Sequence, residues 1–249
     1  MITSHRDNLN KYKGEELQFK FMTNMDYEEY LWARGENELA NLIRESFNKR
    51  KTCPFHRLAL DLFSEYLMTG GMPEVVAANI SGLGAYKIDA IKQKIKDIYI
   101  KELTESTNLI DIERSIAVFN SLPYQLKKDN RKFQYGLLGF GRRKKEYDNA
   151  ISYLVNNQIA YRSYKITDVK SPLSSCRQPD SFKLYMNDEG ILYSMLHLSQ
   201  KEFMANEKVR QILYENHIAK TLAEANYALY YYQSEGKAEV DFVIQNRMG

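Results

Sequence analysis

Apolar residues recur every three to four positions along most of this chain, and every second position in a few short stretches. The first spacing belongs to a helix buried on one face, the second to a strand. Near the start, "LQFKFM" sets Leu17, Phe19 and Phe21 on one side and predicts a strand with no neighbour to pair with. From Asp26 the spacing turns helical. "MDYEEYLWARG" offers Asp26 as an N-cap, Glu29 as the acid of a capping box and Gly35 as the stop. Tyr27, Tyr30, Leu31 and Arg34 share its face. Further helices are predicted from Glu36 to Asn48, from Pro54 to Met68 and, after the Gly70-Gly71 break, from Pro73. Tyr86 to Leu103 aligns Ile88, Ile91, Ile95, Ile98 and Tyr99 as one stripe and leaves its lysines on the other side.

The next block changes character. Asp111 to Pro123 predicts a helix ending at the proline, "YQLKKDN" a short helix or turn, and "KEYDNAISYLVNN" a helix through Tyr147, Ile151 and Leu154. "QIAYRSYKIT" alternates as a strand. Three helices closed by a strand or hairpin predict a winged helix-turn-helix. The polar loop "DVKSPLSSCRQPD" marks a boundary. Beyond it, "SFKLYMND" reads as a strand ending at Asp188-Glu189-Gly190. Two helices follow, the second through "RQILYENHIAKTLAEA", then the strands "YALYYYQ" and "AEVDFVI" around the turn "SEGK". Along the last strand Glu239, Asp241 and Val243 face one way, and Val240, Phe242 and Ile244 the other. No internal repeat is present.

Composition narrows the class without naming a function. The 249 residues are 44% hydrophobic and 27% charged, ordinary for a globular chain large enough to fold without staples. The two cysteines, Cys53 and Cys176, are far apart and form no metal or disulfide spacing. His5, His56, His197 and His217 show no HxxxH or HExxH spacing. No apolar run has the length of a membrane span and the first residues lack a signal core, so a cytoplasmic chain with no membrane partner is expected. The net charge of +3 is less informative than its distribution. Lys127, Lys128, Arg131, Lys132, Arg142, Arg143, Lys144 and Lys145 stand against Asp129 alone, with Phe133, Tyr135 and Phe140 between them. The run reads either as a solvated face or as a phosphate-contacting surface for duplex DNA at the start of a recognition helix. Asn149, Ser152 and Asn156 reach base edges only if they face outward.

The stretches "MDYEEYLWARG", "YLMTGGMPEVV", "IKDIYIKEL", "FNSLPYQLKKDNRKFQY", "YDNAISYLVNNQI", "FKLYMNDEGIL", "LYENHIAKTL" and "AEVDFVI" together resemble a known family. It comprises the AAA-superfamily P-loop ATPases of bacteria and archaea that carry a C-terminal domain similar to PD-(D/E)xK nucleases. The resemblance implies a mainly α, multidomain chain. Residues 1–25 would be a remnant of the ATPase core and 26–108 a helical lid domain. Residues 109–168 would be a winged helix domain, and 180–249 a partial, restriction-endonuclease-like α/β domain. "MITSHRD" looks like the end of the sensor-bearing strand, but Gly14 is followed by Glu15, so no arginine finger is carried over.

The departures matter as much. "GLGAYKID" and "GFGRRKKE" each hold only a G-x-G, and no G-x-x-x-x-G-K-[ST] loop is present to cradle phosphate. The chain is therefore expected to hydrolyse no ATP and to hold no cofactor, with ATP and Mg²⁺ belonging to a full-length parent. By resemblance Glu215 and Asp241 are metal ligands. The E-x-K strand that would follow them lies outside the sequence, so no catalytic residue is assigned. Expected partners are duplex DNA, the ATPase core or a second copy. Three functions stay open: a fragment of an ATPase, a non-catalytic DNA-binding or protein-interaction module, and a metal-dependent nuclease with an incomplete site.

Overall fold

The computed structural model describes residues 22–105, 109–139, 143–234 and 238–246. The expected "LQFKFM" strand, nearly all of the 1–25 segment, Arg142 and the middle of the "SEGK" turn lie outside the described residues. The architecture is mostly helical, with one small mixed sheet. Five helices come first: α1 (Tyr27–Ala33), α2 (Asn37–Asn48), α3 (His56–Thr69), α4 (Pro73–Ile80) and α5 (Ala85–Glu105). The local signals act as expected in α1. Asp26 accepts from the Glu29 N–H at 2.8 Å, Glu29 returns to the Asp26 N–H at 2.9 Å, and Gly35 takes φ 81° just past the end.

Then follow α6 (Leu109–Leu126), a 3-10 turn at Tyr135–Leu138, α7 (Lys144–Asn156) and strand β1 (Ala160–Ile166). Strand β2 (Arg177–Met186), α8 (Glu189–Met195), α9 (Gln200–Ala205), α10 (Glu207–Glu224), β3 (Leu229–Gln233) and β4 (Glu239–Val243) complete the order. Two expectations change here. Pro123 sits inside α6 rather than ending it. A mid-helix proline costs about 3 kcal/mol, but Phe119, Leu122 and Leu126 lie buried around it, and their packing holds the helix straight through. Lys92, placed by periodicity on the outer side of α5, is buried, and its Nζ donates to the Met68 carbonyl at the end of α3 at 2.5 Å.

The sheet order is β2-β1-β3-β4. β1 pairs antiparallel with β2 and parallel with β3, and β3 pairs antiparallel with β4. The boundary expected between 168 and 180 therefore runs through one sheet. Helices α6 and α7 cover one face, where Phe133 stacks on Phe182 with ring centroids 5.4 Å apart. By alternation Lys183 and Tyr185 project from the opposite face, which α10 covers. The main core runs from Tyr30 and Tyr66 through Phe119 and Leu154 to Leu229, with smaller clusters around Leu39 and Leu62 and around Ile166 and Tyr230. No helix among the described residues is long and apolar enough to cross a membrane.

One crossing fixes how the first helices meet the sheet layer. A Cβ on Gly190 would lie 2.0 Å from the Thr69 carbonyl oxygen, and one on Gly70 2.3 Å from Asp188 Oδ1. Gly70 also has φ 84°. Backbone touches backbone here, which explains both the Gly70-Gly71 pair and the glycine of "NDEG".

Candidate functional site

The two carboxylates singled out from the sequence come together. Asp241 and Glu239 share one face of β4, and Glu215 points inward from the middle of α10. Between them lies a residue the sequence reading missed. Lys183 on β2 is 1% exposed, and its ammonium donates to Glu215 Oε1 at 3.2 Å and Asp241 Oδ1 at 3.2 Å. Glu239 Oε1 stands 2.5 Å from it. The side chain crosses the sheet over Ser163, its register partner on β1, and packs 4.9 Å above the Tyr231 ring. A larger residue at 163 would block that path. The available signal was a lysine at the centre of "SFKLYM", a strand otherwise apolar on both faces.

Two more donors close the cluster around Glu215. Tyr185 donates to Oε1 at 2.5 Å, and Arg131 pairs with Oε2. Burial, with the nearby Asp241 charge, pushes the Tyr185 phenol well above its ordinary range, so it stays a donor. Arg131, expected on the DNA-facing surface, is turned inward here. The neighbouring Asn216 accepts from the Met186 N–H at 2.7 Å and donates to the Met186 carbonyl at 3.0 Å, which satisfies the backbone of edge strand β2. Glu215-Asn216 thus locks α10 to the sheet by charge and by backbone.

Magnesium demands near-octahedral oxygens about 2.0–2.1 Å away. Here both Glu215 oxygens already accept, and Glu239 and Asp241 each turn an oxygen to the ammonium. As arranged, these side chains fit an ammonium, and a divalent ion would have to displace it. No group of three or more His, Cys, Asp or Glu among the described residues is arranged to hold a metal.

A second ionic cluster lies where the first helices meet α8 and α10. Asp188 is fully buried and accepts from the Gly71 and Ile191 N–H groups, both at 2.9 Å. Burial raises its pKa. Glu189 receives Lys220 at 3.1 Å and His217 Nδ1 at 2.7 Å. Burial opposes its ionisation, but the Lys220 ammonium and the hydrogen bond with His217 outweigh burial and hold its carboxyl below the usual range. Lys220 also donates to the Tyr66 hydroxyl at 3.1 Å, which in turn donates to the Met25 carbonyl at 2.9 Å. Glu224, beside Tyr161, is pushed up to about 7 by burial.

The basic run divides. Arg131 is paired with Glu215 and Lys144 with Asp180. Lys127, Lys128, Arg143 and Lys145 are exposed, and Lys132 is half-buried. Helix α7 buries Tyr147, Ala150, Ile151 and Leu154 and shows Lys145, Asn149 and Asn156 to solvent, with Ser152 partly covered between them. That outer stripe has helical spacing along one face.

A family model described as "Domain of unknown function (DUF8612)" matches residues 60–202. That span runs from within α3 to within α9 and includes the Lys183 strand, and leaves out Glu215 and Asp241. No curated protein and no solved structure matches the chain.

Proposed function

The chain belongs to the DUF8612 family, whose function is unknown, and from that premise we propose that it is a non-hydrolytic, duplex-DNA-contacting part of a AAA-type ATPase. In this reading the first five helices are the lid, α6 to β2 the winged helix, and β2 to β4 with α10 the nuclease-like unit. The observation that carries it is the outer stripe of α7. Lys145, Asn149, Ser152 and Asn156 stand opposite the buried face, and Arg143 with Lys145 flanks the helix start, where phosphate binds most favourably. The β1–β2 hairpin beside α7 supports the winged reading. So does the Phe133 N–H, which donates to the Phe182 carbonyl at 2.9 Å and adds a short third edge to that hairpin. The test is fluorescence anisotropy on a labelled 20-base-pair duplex. Arg143→Glu with Lys145→Glu should weaken binding at least tenfold, and unchanged affinity defeats the reading.

A second reading, metal-dependent nuclease, rests on the convergence of Glu215, Glu239 and Asp241 on one point. It requires Lys183 to vacate that point. Plasmid nicking with Mn²⁺ that disappears in Asp241→Ala supports it, and an intact plasmid argues against it. With Lys183 seated between the carboxylates, the plasmid is expected to stay intact.

A further inference from the structure

The loop joining α2 to α3 breaks three local rules at once. Helix α2 closes with a Schellman motif, in which the Arg50 N–H donates to the Phe47 carbonyl at 3.0 Å and the Lys51 N–H to the Ser46 carbonyl at 2.9 Å. The residue in the left-handed conformation there is Arg50, at φ 50°, where glycine would sit without steric cost. Helix α3 begins at His56 with Phe55 in the N-cap position, and no side chain caps it. Phe47 is 81% exposed and Phe55 55%. Residues that break local rules with no compensating contact mark function rather than folding.

Charge is the second observation. From Ser46 to Leu60 the sequence holds Lys49, Arg50, Lys51 and Arg57 and no acid. Lys49 pairs with Glu45 on its own helix at 2.6 Å. Arg50, Lys51 and Arg57 are exposed and make no ion pair among the described residues. The macrodipole of α2 favours cations at this end, but it accounts for neither ring. The apolar face of α2 is already committed, since Leu39 and Ala40 pack with Leu31, Ala59 and Leu62. The loop therefore shows solvent two separate rings with cations beside them.

We propose that the α2–α3 loop is a contact site for single-stranded nucleic acid. Phe47 and Phe55 stack on bases, and Arg50, Lys51 and Arg57 meet the phosphates. Ring stacking accepts any base, so the contact reads no sequence. A lipid surface matches less well, because it selects a continuous apolar face and the one on α2 is buried. The site lies apart from α7 and does not depend on the duplex reading.

The test uses the full chain and a labelled 12-nucleotide oligo-dT in an anisotropy titration. Three phosphates on a single strand give log K a slope of about −2 against log salt. Phe47→Ala with Phe55→Ala should weaken binding at least tenfold, and both side chains are exposed enough for the fold to tolerate the change. Arg50→Gly is the sharper variant. It should raise the unfolding midpoint by relieving the left-handed arginine, and weaken oligo-dT binding about threefold. Lys201→Glu on α9, outside both proposed surfaces, should leave oligo-dT binding within twofold. The proposal is overturned by no oligo-dT binding at ~0.1 M salt, by an Arg50→Gly variant that binds as wild type, or by an equal loss in Lys201→Glu. Co-sedimentation with phosphatidylserine vesicles in place of oligo-dT binding also overturns it and assigns the loop to lipid.

Discussion

Lys183→Met removes the cation that three carboxylates share while nearly preserving volume. The cost is set by what each acid keeps. Glu239 and Asp241 have side chains 22% and 52% exposed, so water replaces the ammonium at little cost. Glu215 is 6% exposed and cannot rehydrate in place, but it keeps Arg131 and the Tyr185 hydroxyl. Breaking a buried pair outright costs about 3–5 kcal/mol. With one of two cations left, about 2 kcal/mol is expected. At a urea dependence of about 2–3 kcal/mol per molar, the midpoint should fall by roughly 0.7–1 M. Glu215→Gln alone takes the anion from both Lys183 and Arg131, so its loss and that of Lys183→Met should fall short of additive in the double variant by at least ~1 kcal/mol, a coupling that a cycle of four unfolding curves measures. A Lys183→Met variant within ~0.5 kcal/mol of wild type refutes the reasoning, and so do losses that simply add.

Three further outcomes follow from other parts of the molecule. Gly190→Ala drives a methyl into the Thr69 carbonyl at 2.0 Å and should cost more than ~3 kcal/mol or prevent folding, whereas Gly84→Ala, with open space around it and no left-handed backbone, should cost far less; circular dichroism melts compare them. Glu224 has its pKa raised in the fold from 4.5 to about 7, so its ionisation opposes folding. Stability it allows below pH ~4.5 is lost as pH rises through 7, with a ceiling of about 3 kcal/mol that partial exposure lowers to ~1–2 kcal/mol. Glu224→Gln should therefore be more stable than wild type at pH 8 and lose that advantage by pH 5, as read from chemical unfolding at both. Tyr66→Phe removes the acceptor of Lys220 and the donor to Met25, and should cost about 1–2 kcal/mol in the same assay.

The helices were legible where local chemistry decides them. The Asp26–Glu29 box, the Gly70-Gly71 break with Pro73, and the buried stripe of Tyr147, Ile151 and Leu154 each signal through near neighbours in sequence. Pro123 misled because a local cost was outweighed by the packing of Phe119 and Leu122, which only the fold supplies. The sheet was hidden for the same reason. β1 pairs with β3 some sixty residues later, and no pattern in either strand encodes that partner. At the site, Glu215 and Asp241 come together, but the cation between them arrives from a third element, β2. Arg131 looked like a surface cation among seven others, and its inward turn depends on where α10 lies. Charge runs report composition, and burial decides which of their members face a partner.

The salt dependence of duplex DNA binding tests the central claim most directly. Among the described residues, Lys127, Lys128, Arg143 and Lys145 are the exposed cations of the run, with Arg131 and Lys144 held in ion pairs. Four neutralised phosphates predict a slope of about −4 in log K against log salt, reduced by about one for each of Arg143→Glu and Lys145→Glu. A slope near zero, or one that those substitutions leave unchanged, contradicts the account.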